Sequence, residues 1–340
     1  MKKLTKIGAS ALAGSLVAMS AQAGELSVSG TWELTHKSDD NTSVANPYGS
    51  KSAISFTGSG DVDGLGTAAF YAQINDNSPA GYTSHEISLD MGDAGKVGFD
   101  QGVGTYGAST IDDKSPTAWE ESWHNTANSS GGLVHTGGSG GVLGYANSAG
   151  GFDFSIEYAP ALTTADNGDG SGGGDNTSLA NGSNTNFAIN NSSLIDGLTF
   201  GFGAGTSEYD DEAIVGREDG SSVVGYANYA MGPATVGITM SESSNARTAN
   251  TTTNAGGREV EAYGIAFAIN DSLSVSYNQH NMTYKKNGSN ADVEQESTGI
   301  AIAYTMGGAT LAIQNNSQDN SGGTAGTNDE ITEVSLSLAF

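Results

Sequence analysis

The chain of 340 residues has no cysteine, only five prolines, and few bases: 12 Lys and Arg stand against 38 acids, a formal charge of −26. Without cysteine there is no thiolate zinc site, no thiol redox chemistry and no cysteine nucleophile. Stability must then rest on burial and hydrogen bonding rather than on cross-links. The shortage of bases argues against nucleic acid, whose phosphates demand clustered cations. The acid surplus favours solubility of exposed parts and attracts cations. Long apolar runs are missing too. The longest, Ile7 to Met19, is shorter than the ~20 residues of a spanning helix, and no later window resembles one.

That early run belongs to a targeting segment. Lys2, Lys3 and Lys6 precede it, and Ala21-Gln22-Ala23 follows as a small-x-small cleavage pattern. Residues 1–23 therefore read as a cleaved export signal, and residues 24–340 as one domain beginning near Gly24. The signal holds three of the lysines and no acid, so 9 bases and 38 acids remain, a formal charge of −29.

What is abundant is glycine, 50 residues, with many Ser, Thr and Asn and 36% apolar residues. Such a composition ordinarily suggests loops, but the apolar residues fall in short alternating segments. Phe152, Phe154, Ile156 and Tyr158 alternate with Asp153, Ser155 and Glu157; Ile300, Ile302, Tyr304 and Met306 alternate with Gly299, Ala301, Ala303 and Thr305. Period-2 alternation over about ten residues is the signature of barrel strands. It predicts strands over 25–36, 51–60, 66–75, 84–91, 96–102, 140–147, 152–160, 184–192, 198–206, 221–231, 234–242, 258–269, 272–284, 293–306, 309–316 and 330–340.

Alternation also occurs in soluble sandwiches, so the connections matter. Counting back from Phe340 they alternate: long over 315–329, tight at Gly307-Gly308, long over 281–292, tight at Asn270-Asp271, long over 243–257, tight at Gly232-Pro233. Short turns at one end and long loops at the other are the asymmetry of outer-membrane barrels. The face opposite the apolar set is Ser, Thr, Gly, Asn and acid. A soluble core cannot bury that set cheaply, whereas a hydrated lumen accepts it. The fold expected is a sixteen-stranded antiparallel transmembrane β-barrel, wide enough for an aqueous lumen. Tyr158, Tyr229, Tyr277 and Phe340 lie near strand ends, where interfacial aromatic girdles belong.

The export signal, the first strand Gly24-Glu25-Leu26-Ser27-Val28-Ser29-Gly30, the sixteen-strand rhythm and the terminal Phe340 together resemble the general trimeric porins of Gram-negative bacteria, especially the alphaproteobacterial type. The resemblance spans residues 24–340. It implies a homotrimer in the outer membrane, among lipids and lipopolysaccharide, passing small hydrophilic solutes and ions. Val334, Leu336, Leu338 and Phe340 look like the signal read by the barrel-assembly machinery. A constriction loop folded into the lumen is implied over Val103 to Ser139, carrying Asp112, Asp113, Glu120 and Glu121, with Trp119 and Trp123 to pin it. Such porins set a basic cluster on the opposite wall, and here the chain departs from the pattern. By parity only Lys51, Lys96 and Arg258 join the inward set, beside the acids Asp90, Asp100, Asp153, Glu157 and Glu333. Rings of carboxylates favour cations, so the expectation is a weakly cation-selective channel; an acidic surface that only solubilises is the alternative.

Signs of catalysis are weak. Gly137-Gly138-Ser139-Gly140-Gly141 matches a nucleophile elbow but lacks its strand–turn–helix setting. His36, His85, His124, His135 and His280 have no metal-ligand spacing. No enzyme and no cofactor are expected, save calcium as a minor reading at Asp166, Asp169 and Asp175, an oxygen-rich tract that is also an ordinary solvated loop. A surface-binding barrel working through loops 161–183, 243–257 and 315–329 is the other reading left open.

Overall fold

The computed structural model describes residues 26–39, 46–76, 83–111, 114–127, 141–160, 183–208, 219–244, 255–286 and 291–340. The expected export signal, Asp112, Asp113, the 161–182 tract with its calcium candidates, His135 and most of 243–257 lie outside them. Within them are sixteen strands: β1 Leu26–Asp39, β2 Tyr48–Val62, β3 Gly66–Asn75, β4 Ser84–Asp90, β5 Lys96–Gln101, β6 Val142–Ala149, β7 Phe152–Ala159, β8 Asn184–Asn191, β9 Leu198–Ser207, β10 Gly220–Met231, β11 Ala234–Ser244, β12 Ala255–Asn270, β13 Leu273–Lys286, β14 Val293–Met306, β15 Ala309–Asp319 and β16 Asp329–Ala339. Each pairs antiparallel with its chain neighbours, and β1 pairs with β16 to close the barrel.

Closure rests on the last residue. Phe340 N–H donates to the Gly30 carbonyl at 2.9 Å, and Gly30 N–H donates back to Phe340 at 3.2 Å. The register then sets Trp32 against Leu338 and Leu34 against Leu336, so the seam continues the outer apolar face. Directly opposed residues share a face, and the register propagates this around the sheet. Tyr263, Ile265 and Phe267 on β12 stand outward with Ile300, Ile302 and Tyr304 on β14, all exposed. Ser276, Asn278, Ser297, Gln314 and Asn316 point inward and are buried. Polar inside and apolar outside is the inverse of a soluble barrel, and it matches a hydrocarbon surround.

The tight turns use local chemistry. Gly232 and Gly307 take φ of 58° and 59°, the left-handed conformation a side chain resists. The turn after β12 falls at Asp271-Ser272, one residue beyond the expected Asn270-Asp271. The Asn270 side chain accepts the Ser272 and Leu273 N–H groups, an Asx turn that lets the strand run through Asn270 itself.

Larger differences lie at the loop end. β12 begins three residues earlier than the alternation predicted, and β15 runs on to Asp319. Beyond the apolar band the outward residues become Glu259, Glu261, Asn315, Ser317 and Asp319, so alternation vanishes while ladder pairing continues. The expected long loop 315–329 is accordingly a short hairpin, 320–328. It tucks inward: Gly322 N–H donates to Gln295 Oε1 at 2.8 Å, and Lys286 Nζ donates to the Gly323 carbonyl at 3.0 Å. The expected length of that loop is corrected.

Ile302 lies at the middle of the outward apolar row, between Val275 and Ile313. Ile302→Arg is expected to cost about 2–4 kcal/mol, whereas Glu296→Arg, at the polar end of the same face, changes stability by about 1 kcal/mol or less. Denaturant unfolding in lipid vesicles measures both.

Candidate functional site: a loop laid against the inner wall

Between β5 and β6 the chain leaves the wall and turns into the barrel. Asp100 starts the turn: its carboxylate accepts the Val103 N–H at 2.8 Å and the Thr105 N–H at 2.7 Å. Tyr106 then lies fully buried in a slot made by two inward glycines. A Cβ on Gly98 or on Gly144 would come within about 2 Å of Tyr106 atoms. Its hydroxyl donates to Glu86 at 3.1 Å, and Glu86 also holds Lys96 at 2.8 Å and the Thr105 hydroxyl at 2.7 Å. Burial, and after it the Glu86 charge, push the Tyr106 hydroxyl well above the usual tyrosine range, so it stays a donor.

A 3-10 turn, Gly107–Ile111, follows. Gly107 N–H donates to Ser155 at 2.8 Å and Ala108 N–H to Asn186 at 2.6 Å. Asn186 donates in turn to Glu157. Ile111 enters an apolar cluster inside the barrel with Ala188, Val224, Val260, Met282 and Tyr284. The segment 114–127 continues round the wall. Asn228 donates to the Lys114 carbonyl, Asn278 to that of Pro116, and Gln314 and Asn316 to that of Glu121. Ala118 N–H donates to Ser276. Trp123 packs on His280 with centroids 4.4 Å apart. Asn125 donates to Glu333, Ala127 N–H to Asp329, and Lys37 of β1 to the Asn125 carbonyl at 2.6 Å.

This segment therefore follows the interior from β5 round to β1 and fills the side beside β7–β16. Open space remains against β1–β8, in three cavities. One, of about 250 Å³, lies between Glu33 and Lys51 on the wall and Glu120, His124 and Asn125 on the loop. A second, of about 450 Å³, is lined by Tyr71, Glu86, Ser88 and Lys96. The third, of about 500 Å³, lies beneath Thr105 and Thr110 beside Asp90 and Asp153.

The register places Lys51, Asp90, Lys96, Asp100, Asp153, Glu157, Arg258 and Glu333 on the inward face. Their surroundings divide them. Lys51, Asp90 and Asp153 meet water; Lys96 is half-buried beside Glu86; Arg258 sits 5.4 Å over the Tyr284 ring. Asp100, Glu157 and Glu333 are only 2–3% exposed, because the loop covers them. As water-facing wall residues these three are corrected: Asp100 and Glu333 bond the loop directly, and Glu157 bonds Asn186, which bonds the loop. Glu120 reaches the open cavity, 3.6 Å from His124, while Glu121 contributes its carbonyl to the wall. The residues sequence reasoning passed over are the neutral ones that seat the loop: Tyr106, Asn186, Asn278, Gln314 and Asn316. A signal existed in the inward glycines Gly98, Gly144, Gly237, Gly264 and Gly299, since glycine inside a strand marks close approach of another backbone.

Tyr106→Ala is expected to cost about 3–5 kcal/mol through the void it leaves, and Tyr106→Phe about 1–2 kcal/mol through one lost hydrogen bond to Glu86, which keeps Lys96 and Thr105. Denaturant midpoints give the cost. In Tyr106→Ala, limited proteolysis is expected to cut within 114–127, and the parent is expected to resist cleavage there.

No protein-family model matches the chain, and no curated protein matches it. Solved structures do. A bacterial porin refined at 1.8 Å aligns over 93% of this chain and 100% of its own, with TM-score 0.66 and 18% identity. Salmonella typhi OmpF in complex with daunomycin aligns over 94% and 99%, with TM-score 0.66 and 15% identity. A mutant of the Rh. blastica porin aligns over 93% and 100%, with TM-score 0.58 and 15% identity. At such identities the likeness is one of fold, and the fold this chain shares with them is the sixteen-stranded porin barrel.

Proposed function

We propose that this chain is a diffusion porin of the Gram-negative outer membrane, of the general trimeric class and its alphaproteobacterial type. In this reading residues 1–23 are its export signal, and its water-filled lumen passes small hydrophilic solutes and ions with a weak preference for cations. The observation that carries the reading is the loop laid inside a closed barrel, which narrows the lumen on one side and leaves hydrated space on the other. Sixteen strands enclose more room than side chains fill. The apolar outer band and satisfied backbone suit a bilayer. The role is passage, not catalysis.

Cation preference is supported by the groups that meet water at the narrow level. Glu33 and Glu120, with Asp90 and Asp153 below, outnumber Lys51, the Asp39-paired Lys37 and the Glu86-paired Lys96. Carboxylates in a narrow, low-dielectric pore raise the local cation concentration. A homotrimer is supported by the uneven wall. β5 has six residues and β4 seven, against 16 in β12. Six tilted residues rise roughly 15 Å against an apolar band of ~25 Å. Copies packed against β3–β6 would cover the exposed Phe70, Ile87 and Leu143 there. The remaining outer surface meets lipid and lipopolysaccharide, and Val334, Leu336, Leu338 and Phe340 serve the assembly machinery. Calcium at Asp166, Asp169 and Asp175 stays a lesser proposal, tested by chelator-dependent melting.

In planar bilayers the purified protein is expected to open in discrete conductance steps, with a reversal potential under a KCl gradient of the sign for cation preference. Absence of steps would sink the channel, and anion preference the selectivity. Cross-linking in detergent is expected to yield a three-chain species that heating dissociates.

A further inference from the structure

Among the described residues the barrel interior holds two histidines. His280 is fully buried behind Trp123. His124 has a third of its side chain exposed and borders the smallest of the three open cavities. His36 and His85 share the outward face, by register with Val334 and Ala72.

Two carboxylates bracket the His124 ring. Nδ1 lies 3.6 Å from Glu120 Oε2 on the loop, and Nε2 lies 3.7 Å from Glu333 Oε2 on β16. The Asn125 amide stands 3.0 Å from Nε2 and itself donates to Glu333. Trp119 meets the ring edge-on at 6.0 Å. The other charged groups facing this place are Glu33 and Lys37 of β1 and Lys51 of β2. Lys37 is held by Asp39 and by the Asn125 carbonyl. β15 contributes neutral Asn316, whose amide donates to the His124 carbonyl. Asp329 of β16 is engaged by the Ala127 N–H.

We propose that His124 is the specificity-determining residue of the passage, adding one positive charge beside Glu120 and Glu333 when protonated and so lowering cation preference as the medium acidifies. The proposal rests on the diffusion-channel reading and deepens it. Neutral His124 leaves the loop side of the cavity acidic. The imidazolium sets its charge between the loop acid and the wall acid, 3.6 and 3.7 Å from its nitrogens, and offsets the charge that attracts cations. Imidazole is the side chain whose charge ordinarily changes between pH 5 and 8, while free carboxylates remain ionised over most of that window. A unit charge roughly 7 Å from the ion path, screened as in water, changes ion occupancy about threefold.

The test compares the full-length protein with His124→Gln and His124→Lys in planar bilayers under a KCl gradient, at about pH 8 and about pH 5.5. In the parent the cation-to-anion permeability ratio is expected to fall about ninefold on acidification, about threefold from each ion. His124→Gln is expected to lose that step, and His124→Lys to show the low ratio already at the higher pH. A step that persists in His124→Gln, or a conducting parent with no step, overturns the proposal. A parent that does not conduct overturns the channel reading itself and this inference with it. Heat-modifiable migration on gels confirms that each variant is folded, and His124→Lys decides the matter if the Gln variant is not.

Discussion

Every backbone N–H and C=O in hydrocarbon must find a partner inside the protein, and that constraint shapes everything else here. An open sheet fails it at two edges. This chain meets it by pairing β1 with β16, with the final Phe340 bonded to Gly30 through both backbone groups. Once closed, the sheet has only two kinds of position, and strict alternation divides residues between hydrocarbon and lumen. The acid-rich, cysteine-free, glycine-rich composition is comprehensible only in that frame: the polar half of each strand has water or a loop to face.

The lumen is not simply filled with water. One long loop occupies the side against β7–β16 and is held by hydrogen bonds to many strands rather than by one strong contact. Each bond contributes modestly, so its position depends on their number and on the apolar cluster around Ile111. Wall and loop are matched in shape. Glycines at inward positions provide the depth for Tyr106, Pro116 and Ser122 to lie close to the sheet, where any side chain would collide.

Charge is divided by the same packing. Asp100, Glu157 and Glu333 hold the loop; Glu120, Glu33, Asp90 and Asp153 meet water. Acids that look alike along the chain thus serve attachment in one case and line open space inside the barrel in the other. What decides between them is whether the loop lies over them, with backbone or amide donors of the loop or of the wall beside it in reach. Low exposure alone would make a bare carboxylate costly, and the donors remove that cost.

Much of the fold was legible in the sequence. Sixteen strands, the turn end and the loop end, and the inward parity of the charged residues all follow from a period of two and from Gly, Pro and Asn at turns, because a residue's face depends only on its neighbours along one strand. The strand ends near the loops were not legible. Alternation reports the surrounding medium, and above the apolar band both faces meet water while the ladder continues. Nor was the fate of individual acids, the seat of Tyr106 between Gly98 and Gly144, or the placing of His124 between Glu120 and Glu333. Many of those contacts join residues distant along the chain, Tyr106 with Glu86 at 20 positions and Asn125 with Glu333 at 208, brought together only when closure and the folded-in loop set them side by side. The chain by itself determined which residues face inward; the tertiary structure decided which of those meet water.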